Sequence, residues 1–214
     1  MNCYNGEKYL KLALKSVIKQ KYKNWELIFW DNKSTDKSKK IFKSFKDKRF
    51  RYFYAKKFTS LYAARNKAIL RSKGQFISFL DVDDLWMPNK LNLQIPLFKN
   101  KNVGVVYSKL LILNQYKNIK KIHINEKLPD GNISKTIISN YNIGIITTII
   151  RKNILKKLKK NFDYRFTHIG DFDFFIRLSK ICEFKAVQSP TAIYRAHGRN
   201  LTTIEKDKAI SEFE

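Results

Sequence analysis

The sequence predicts an α/β domain with a largely parallel central sheet flanked by helices, and three observations carry that expectation. Short aromatic and β-branched runs alternate with segments whose apolar residues recur at helical spacing, and the links between them are brief. At 214 residues the chain is long enough for one large domain or a domain of two lobes. Its 43% hydrophobic and 14% aromatic content is that of a globular protein and not of a disordered segment.

The elements follow in order. "EKYLKLALKSVIKQ" repeats Leu10, Leu14, Val17 and Ile18 on one helical face, and "WELIFW" is a six-residue buried strand. "NKSTDKSKKIFKSF" supplies Ser, Thr and Asp as caps ahead of a second helix. "RFRYFYA" reads as a strand, "LYAARNKAILRSKG" as a helix ending at Gly74, and "QFISFL" as a strand. Pro88 suits the first turn of a helix running to about Lys99. Strands near 103–115 and 145–150 and helices near 152–160 and 171–181 complete the reading. No repeat and no linker interrupts the chain, so residues 1–112 and 113–214 are expected to be two halves of one domain.

Composition narrows the class. No apolar run approaches the roughly 20 residues that a membrane helix needs, and "MNCYNGEKYL" has no apolar signal region. Two cysteines, Cys3 and Cys182, make no disulfide framework, which leaves the cytoplasm as the default compartment. The net charge of +26 has two readings. Lysines spread along the chain, with abundant Asn and Ile, fit a bias toward A/T-rich codons. They also fit attraction to an anionic partner: a bilayer surface, a nucleotide diphosphate or nucleic acid. "KNILKKLKK" at 152–160 is the densest basic run, and at helical spacing it could rest on an anionic membrane.

The stretch "FLDVDDLW" places Asp81, Asp83 and Asp84 within four residues, directly after a predicted strand. Ligands of open α/β sheets bind beyond the carboxyl ends of the strands, where "DNKSTD" and "DVDD" both fall. Carboxylates at i and i+2 can share a hard divalent cation such as Mg²⁺ or Mn²⁺, which would also relieve their repulsion. The competing reading is an acidic turn that caps the helix near Pro88 through Asp84 or Asn89.

Four segments in one order, "CYNGEKYLKLALKSVIKQKYKNWELIFWDNKSTDKS", "AARNKAILRSKGQFISFLDVDDLW", "IGDFDFFIRLS" and "YRAH", resemble the family 2 glycosyltransferases of GT-A fold. The resemblance covers nearly the whole chain. It implies transfer of a sugar from a nucleotide-diphospho-sugar to an acceptor hydroxyl, with inversion and a divalent metal. By the same resemblance Asp83 would ligate the metal and Asp81 would face ribose or metal. Tyr4 would stack on the nucleotide base, while Asp31, Asn32 and Arg65 would line the nucleotide pocket. Asp171 would be the catalytic base, with Asp173 its rival, and His197 would reach the metal or diphosphate. UDP-sugars are the favoured donors and a glycan or lipid-linked glycan the acceptor, in polysaccharide assembly at the inner face of a bacterial membrane. His123 and His168 receive no role.

Three departures from the family pattern stand out. Asn32-Lys33 replaces the usual Asp-Gly, and Gly170 replaces the Glu that usually precedes the base. The chain begins where a buried first strand would be ending, so the reading expects a truncated product whose sheet lacks a strand between "WELIFW" and "QFISFL". A nucleotide-sugar-binding but inactive homologue is the alternative that follows. A nucleotidyltransferase would want a Gly-rich basic loop, and a D-x-D phosphatase a motif near the N-terminus followed by Gly-Thr; neither is present. A nucleic-acid module would need exposed aromatics on a basic sheet, whereas these aromatics sit in apolar runs, so no nucleic-acid partner is expected.

Overall fold

The computed structural model describes residues 1–117, 119–198, 200 and 211–212. Its first half is built on strand β2 (Leu27–Asp31), which is buried on both faces. Leu27 and Phe29 point toward helix α1 (Glu7–Ile18), meeting Leu10, Leu14, Val17 and, from helix α2 (Ser38–Ser44), Phe42. Ile28 and Trp30 point the other way, onto Ala64 and Ala68 of helix α3 (Leu61–Arg71). The period of two explains why the run is apolar throughout: each neighbour takes one face. Strands β1 (Asn2–Cys3) and β3 (Phe50–Tyr54) flank β2 in parallel. At the start of β1 the Met1 ammonium donates to Ile28 O at 2.9 Å, and β1 pairs with β2 alone among the described residues.

The second sheet is mixed, which corrects the expectation of mainly parallel strands beyond β3. Its order is β4 (Phe76–Ser78), β8 (Ile149–Arg151), β6 (Val103–Asn114), β9 (Glu183–Ala196), β5 (Leu85–Trp86), with β7 (Ile119–Ile122) paired to β6. Only β6 and β9 run parallel there, in a long ladder with register shifts around Ser108, Lys109 and Leu110. The reason is local: β7 turns back on β6 within a few residues, and β8 enters between β4 and β6 from a short 3-10 turn at Ile145–Thr147 and not from an α-helical crossover. Helix α6 (Gly170–Ser179) lays Phe174, Phe175 and Leu178 on this sheet, against Val105, Tyr107 and Phe184.

Two predicted helices shorten. Helix α4 (Lys90–Gln94) gives way to a 3-10 turn at Ile95–Lys99, because Pro96 has no N–H to continue the ladder. Helix α5 covers Lys152–Leu155 alone, so "KNILKKLKK" is not the amphipathic helix expected; lysines one turn apart repel along such a helix.

Candidate active site

The chain leaves β4 with Phe79 and Leu80 buried, then turns at the three aspartates, where the Asp84 amide donates to Asp81 O at 3.2 Å. Each carboxylate meets a different partner. Both oxygens of Asp81 accept from Arg65 Nη2 at 3.0 Å. Asp83 Oδ2 lies 3.0 Å from His197 Nε2, and the Asp83 carbonyl accepts from Arg195 Nε at 2.9 Å. Asp84 is buried and accepts the Arg195 amide at 2.8 Å. The helix-capping alternative is therefore not what the cluster does: Asp84 braces β9, and Asn89 makes no side-chain cap at α4.

Electrostatics inside the loop favour an added positive charge. Burial pushes the Asp84 carboxyl well above the usual range, with the charges of Asp83 and Asp81 adding to it. Burial, then the Asp81 charge, also lifts Asp83, while His197 opposes the shift. Among the described residues no group of three or more His, Cys, Asp or Glu side chains is arranged to hold a metal ion. The chemistry of the donor pair, a carboxylate and an imidazole at Asp83 and His197, would still suit a divalent ion.

Near the start of the chain Tyr4 is exposed, and its ring centroid lies 4.7 Å from that of Phe58, also exposed. The loops behind them are tightly built. Asp31 is buried; Oδ1 accepts the Ser34 amide at 2.8 Å and Oδ2 accepts from Tyr52 Oη at 2.6 Å. The Asn32 amide donates to Thr59 O at 2.7 Å and accepts from the Thr59 hydroxyl at 3.1 Å. Asp31 and Asn32 are thus tied by these bonds to the loops around Ser34 and Thr59 and to Tyr52 of β3. Lys33 stands at φ 72°, a left-handed conformation that a glycine would adopt without a steric penalty.

Asp171 sits in the first turn of α6. Its Oδ1 accepts the Phe172 amide at 3.0 Å and lies 3.4 Å from Tyr62 Oη, while Oδ2 carries no hydrogen bond among the described residues. Burial lifts this carboxyl above the usual range, partly opposed by the nearby Arg65 guanidinium. Asp173 is committed elsewhere: it pairs with Arg177 at 2.7 Å, whose guanidinium also donates to Lys160 O and Asn161 O. The amides of Thr167, His168 and Ile169, just ahead of α6, donate to the Glu212 carboxylate. Burial alone would raise Glu212, but these bonds win and hold it down to about 2.

The structure brings Arg65, Asp81 and Asp171 into one cluster and pairs Asp83 with His197, while Tyr4 stands exposed beside Phe58 and Asp31 and Asn32 are buried. Sequence reasoning missed Tyr62, Phe58, Tyr141 and Arg195. Tyr62 lies one helical turn before Arg65 and Arg195 two strand positions before His197, and those spacings were signals in plain view.

Comparison with known proteins bears on the family and the fold. The family model described as "Glycosyl transferase family 2" matches residues 1–183. The chain is 29% identical over 187 residues to the Escherichia coli UDP-Glc:alpha-D-GlcNAc-diphosphoundecaprenol beta-1,3-glucosyltransferase WfgD, covering 87% of this chain and 71% of that protein. It resembles the crystal structure of S. aureus TarS 1-349 in complex with UDP-GlcNAc at a TM-score of 0.80 and 18% identity, over 95% of this chain. The mannosyltransferase PcManGT from Pyrobaculum calidifontis, in complex with GDP-Man and Mn²⁺, aligns at 0.68 and 14% identity, over 93%. The chain spans 59% of the TarS chain and 56% of the PcManGT chain. Both likenesses establish a GT-A fold, a mixed sheet with flanking helices. With the family model matched over 183 of its 214 residues, the chain belongs to glycosyl transferase family 2.

Proposed function

We propose that this domain transfers a sugar from a nucleoside-diphosphate donor, a UDP-sugar by preference, to a hydroxyl of a glycan or lipid-linked glycan, with inversion. The observation that carries the reading is Asp171: a carboxylate with raised proton affinity and an uncommitted Oδ2, joined through Tyr62 and Arg65 to the acidic loop after β4. Residues 1–112 carry the nucleotide side, and residues 113–214 carry the base.

In this mechanism Tyr4 stacks on the base and the loops floored by Asp31 and Asn32 fix the nucleoside. Asp83 and His197 would hold a Mn²⁺ or Mg²⁺ ion, which supplies Lewis-acid stabilisation of the departing diphosphate. Asp171 Oδ2 takes the proton of the acceptor hydroxyl as its oxygen bonds to the anomeric carbon. The bond from that carbon to the diphosphate breaks, and its electron pair leaves with the nucleoside diphosphate. Arg65 holds Asp81 and steadies the Asp171 carboxylate.

Support for the donor comes from relatives bound to UDP-GlcNAc or named for UDP-Glc, and WfgD is named for the acceptor alpha-D-GlcNAc-diphosphoundecaprenol, a sugar carried on a lipid diphosphate. The excess of cationic side chains favours work on an anionic membrane face. No helix among the described residues is long and apolar enough to cross a membrane. The test is hydrolysis of UDP-glucose, UDP-GlcNAc, UDP-galactose and GDP-mannose with and without Mn²⁺. Release of nucleoside diphosphate that depends on Mn²⁺ and on Asp171 is expected; a chain that neither binds nor cleaves any of them would overturn the reading.

A further inference from the structure

Tyr62 occupies an unusual junction. A Cβ built on Gly170 would meet its ring at 2.5–2.8 Å, so the ring fills the space where a side chain at that position would start. The same ring stacks on Phe162 with centroids 5.5 Å apart and lies beneath the Arg65 guanidinium at 5.4 Å. Its hydroxyl is 2.8 Å from the His168 carbonyl and 3.4 Å from Asp171 Oδ1. A phenol has one hydrogen, and the shorter contact takes it. A lone pair of Tyr62 Oη therefore faces Asp171 Oδ1.

We propose that Tyr62 is a positioning residue for the base: it fixes the first turn of α6 and presents an acceptor oxygen that receives the proton-bearing form of Asp171. The inference rests on the reading of Asp171 as the base and adds how the chain prepares it. In the transfer step Oδ2 takes the proton from the attacking hydroxyl; in the resulting acid Oδ1 and Oδ2 are equivalent on rotation of the carboxyl. The acid then donates to Tyr62 Oη, while the phenol keeps its bond to His168 O. No proton leaves the pair until solvent removes it. Gly170 belongs to the same device, since any larger residue displaces the ring.

The groups that act on Asp171 are Tyr62 and Arg65 from α3, Asp81 from the loop after β4, and Tyr141 from the segment after β7. Among these charged and titratable groups Arg65 favours the carboxylate, as does the Phe172 amide on Oδ1. Deleting the Tyr62 oxygen leaves that attraction in place and removes the acceptor, so Asp171 should bind its proton less tightly.

The experiment compares Tyr62→Phe with the parent in Mn²⁺-dependent hydrolysis of the donor found above, water serving as acceptor. Expected are a fall in kcat of about tenfold, an unchanged donor KM, and an acid limb of the pH profile displaced to lower pH. Gly170→Ala, which pushes the ring from the opposite side, should lower kcat similarly. An activity-independent arm follows the ¹³C carboxyl resonance of Asp171, assigned with Asp171→Asn; its midpoint should move to lower pH in Tyr62→Phe. A folded Tyr62→Phe with parental kcat and an unmoved Asp171 midpoint overturns the inference while the transferase reading stands. A parent that neither binds nor cleaves a nucleotide sugar overturns that reading instead, and the carboxyl titration still decides on Tyr62.

Discussion

Replacing Arg65 by Gln tests the central ion pair. The guanidinium is buried, with a side-chain exposure of 4%, whereas the Asp81 side chain retains 31%. Removing one member of a buried pair commonly costs about 3–5 kcal/mol, because the partner is left charged and unpaired. Asp81 keeps part of its hydration here, so the expected loss is nearer 2–3 kcal/mol, including the contact over the Tyr62 ring. For a chain of this size that corresponds to a melting temperature lower by roughly 4–12 °C. The sign of the second effect follows from charge. Arg65 favours the ionised form of Asp171, so its loss raises the proton affinity of that carboxyl further. The acid limb of donor hydrolysis should then move to higher pH, opposite to the displacement expected of Tyr62→Phe. Circular dichroism melts and a pH–rate series on the same preparation give both readings. A variant that melts within 2 °C of the parent (on the order of 1 kcal/mol or less) and keeps its acid limb would refute the argument.

Other outcomes follow from the same geometry. Asp83→Asn should abolish the Mn²⁺-dependent part of UDP binding by calorimetry while leaving the melting transition in place; unchanged affinity would remove Asp83 from the metal site. Asp171→Asn should lower transfer by on the order of 10²-fold or more with donor binding kept, and parental turnover would move the assignment to another group. Tyr4→Ala should weaken UDP binding by roughly tenfold, the scale of one base–aromatic stack, and equal affinity would mean that the Tyr4–Phe58 pair serves something else.

Much of this arrangement was legible in the sequence, for a physical reason. β2 and α1 are local structures whose apolar residues obey their own periods, so "WELIFW" and "EKYLKLALKSVIKQ" give themselves away. β9 does not: "EFKAVQSPTAIYRA" lacks clean alternation, and Pro190 sits where its ladder with β6 shifts register. The two-residue strand β5 is too short to show any period. At the site, acidic residues announce themselves by type and spacing, but their partners do not. Nothing in the spacing of Asp31 foretells that Tyr52 and the Ser34 amide will claim both its oxygens. Likewise the role of Tyr62 depends on a glycine more than a hundred residues away, which only the folded chain brings beneath it.

That separation bears on how the protein comes into being. The contact between Tyr62 and Asp171 closes a span of 109 residues, and that between Asp83 and His197 a span of 114. Loops of that length form slowly, because chain entropy must be overcome before the contacts return anything. The β1–β2–β3 layer with α1 and α2 draws on near neighbours and can assemble while the rest of the chain is still emerging from the ribosome. The cluster of Arg65, Asp81, Asp83, Asp171 and His197 cannot: it exists only once α6 and the end of β9 have docked. Activity should therefore appear after secondary structure during refolding, and a nascent chain should be compact well before it is an enzyme.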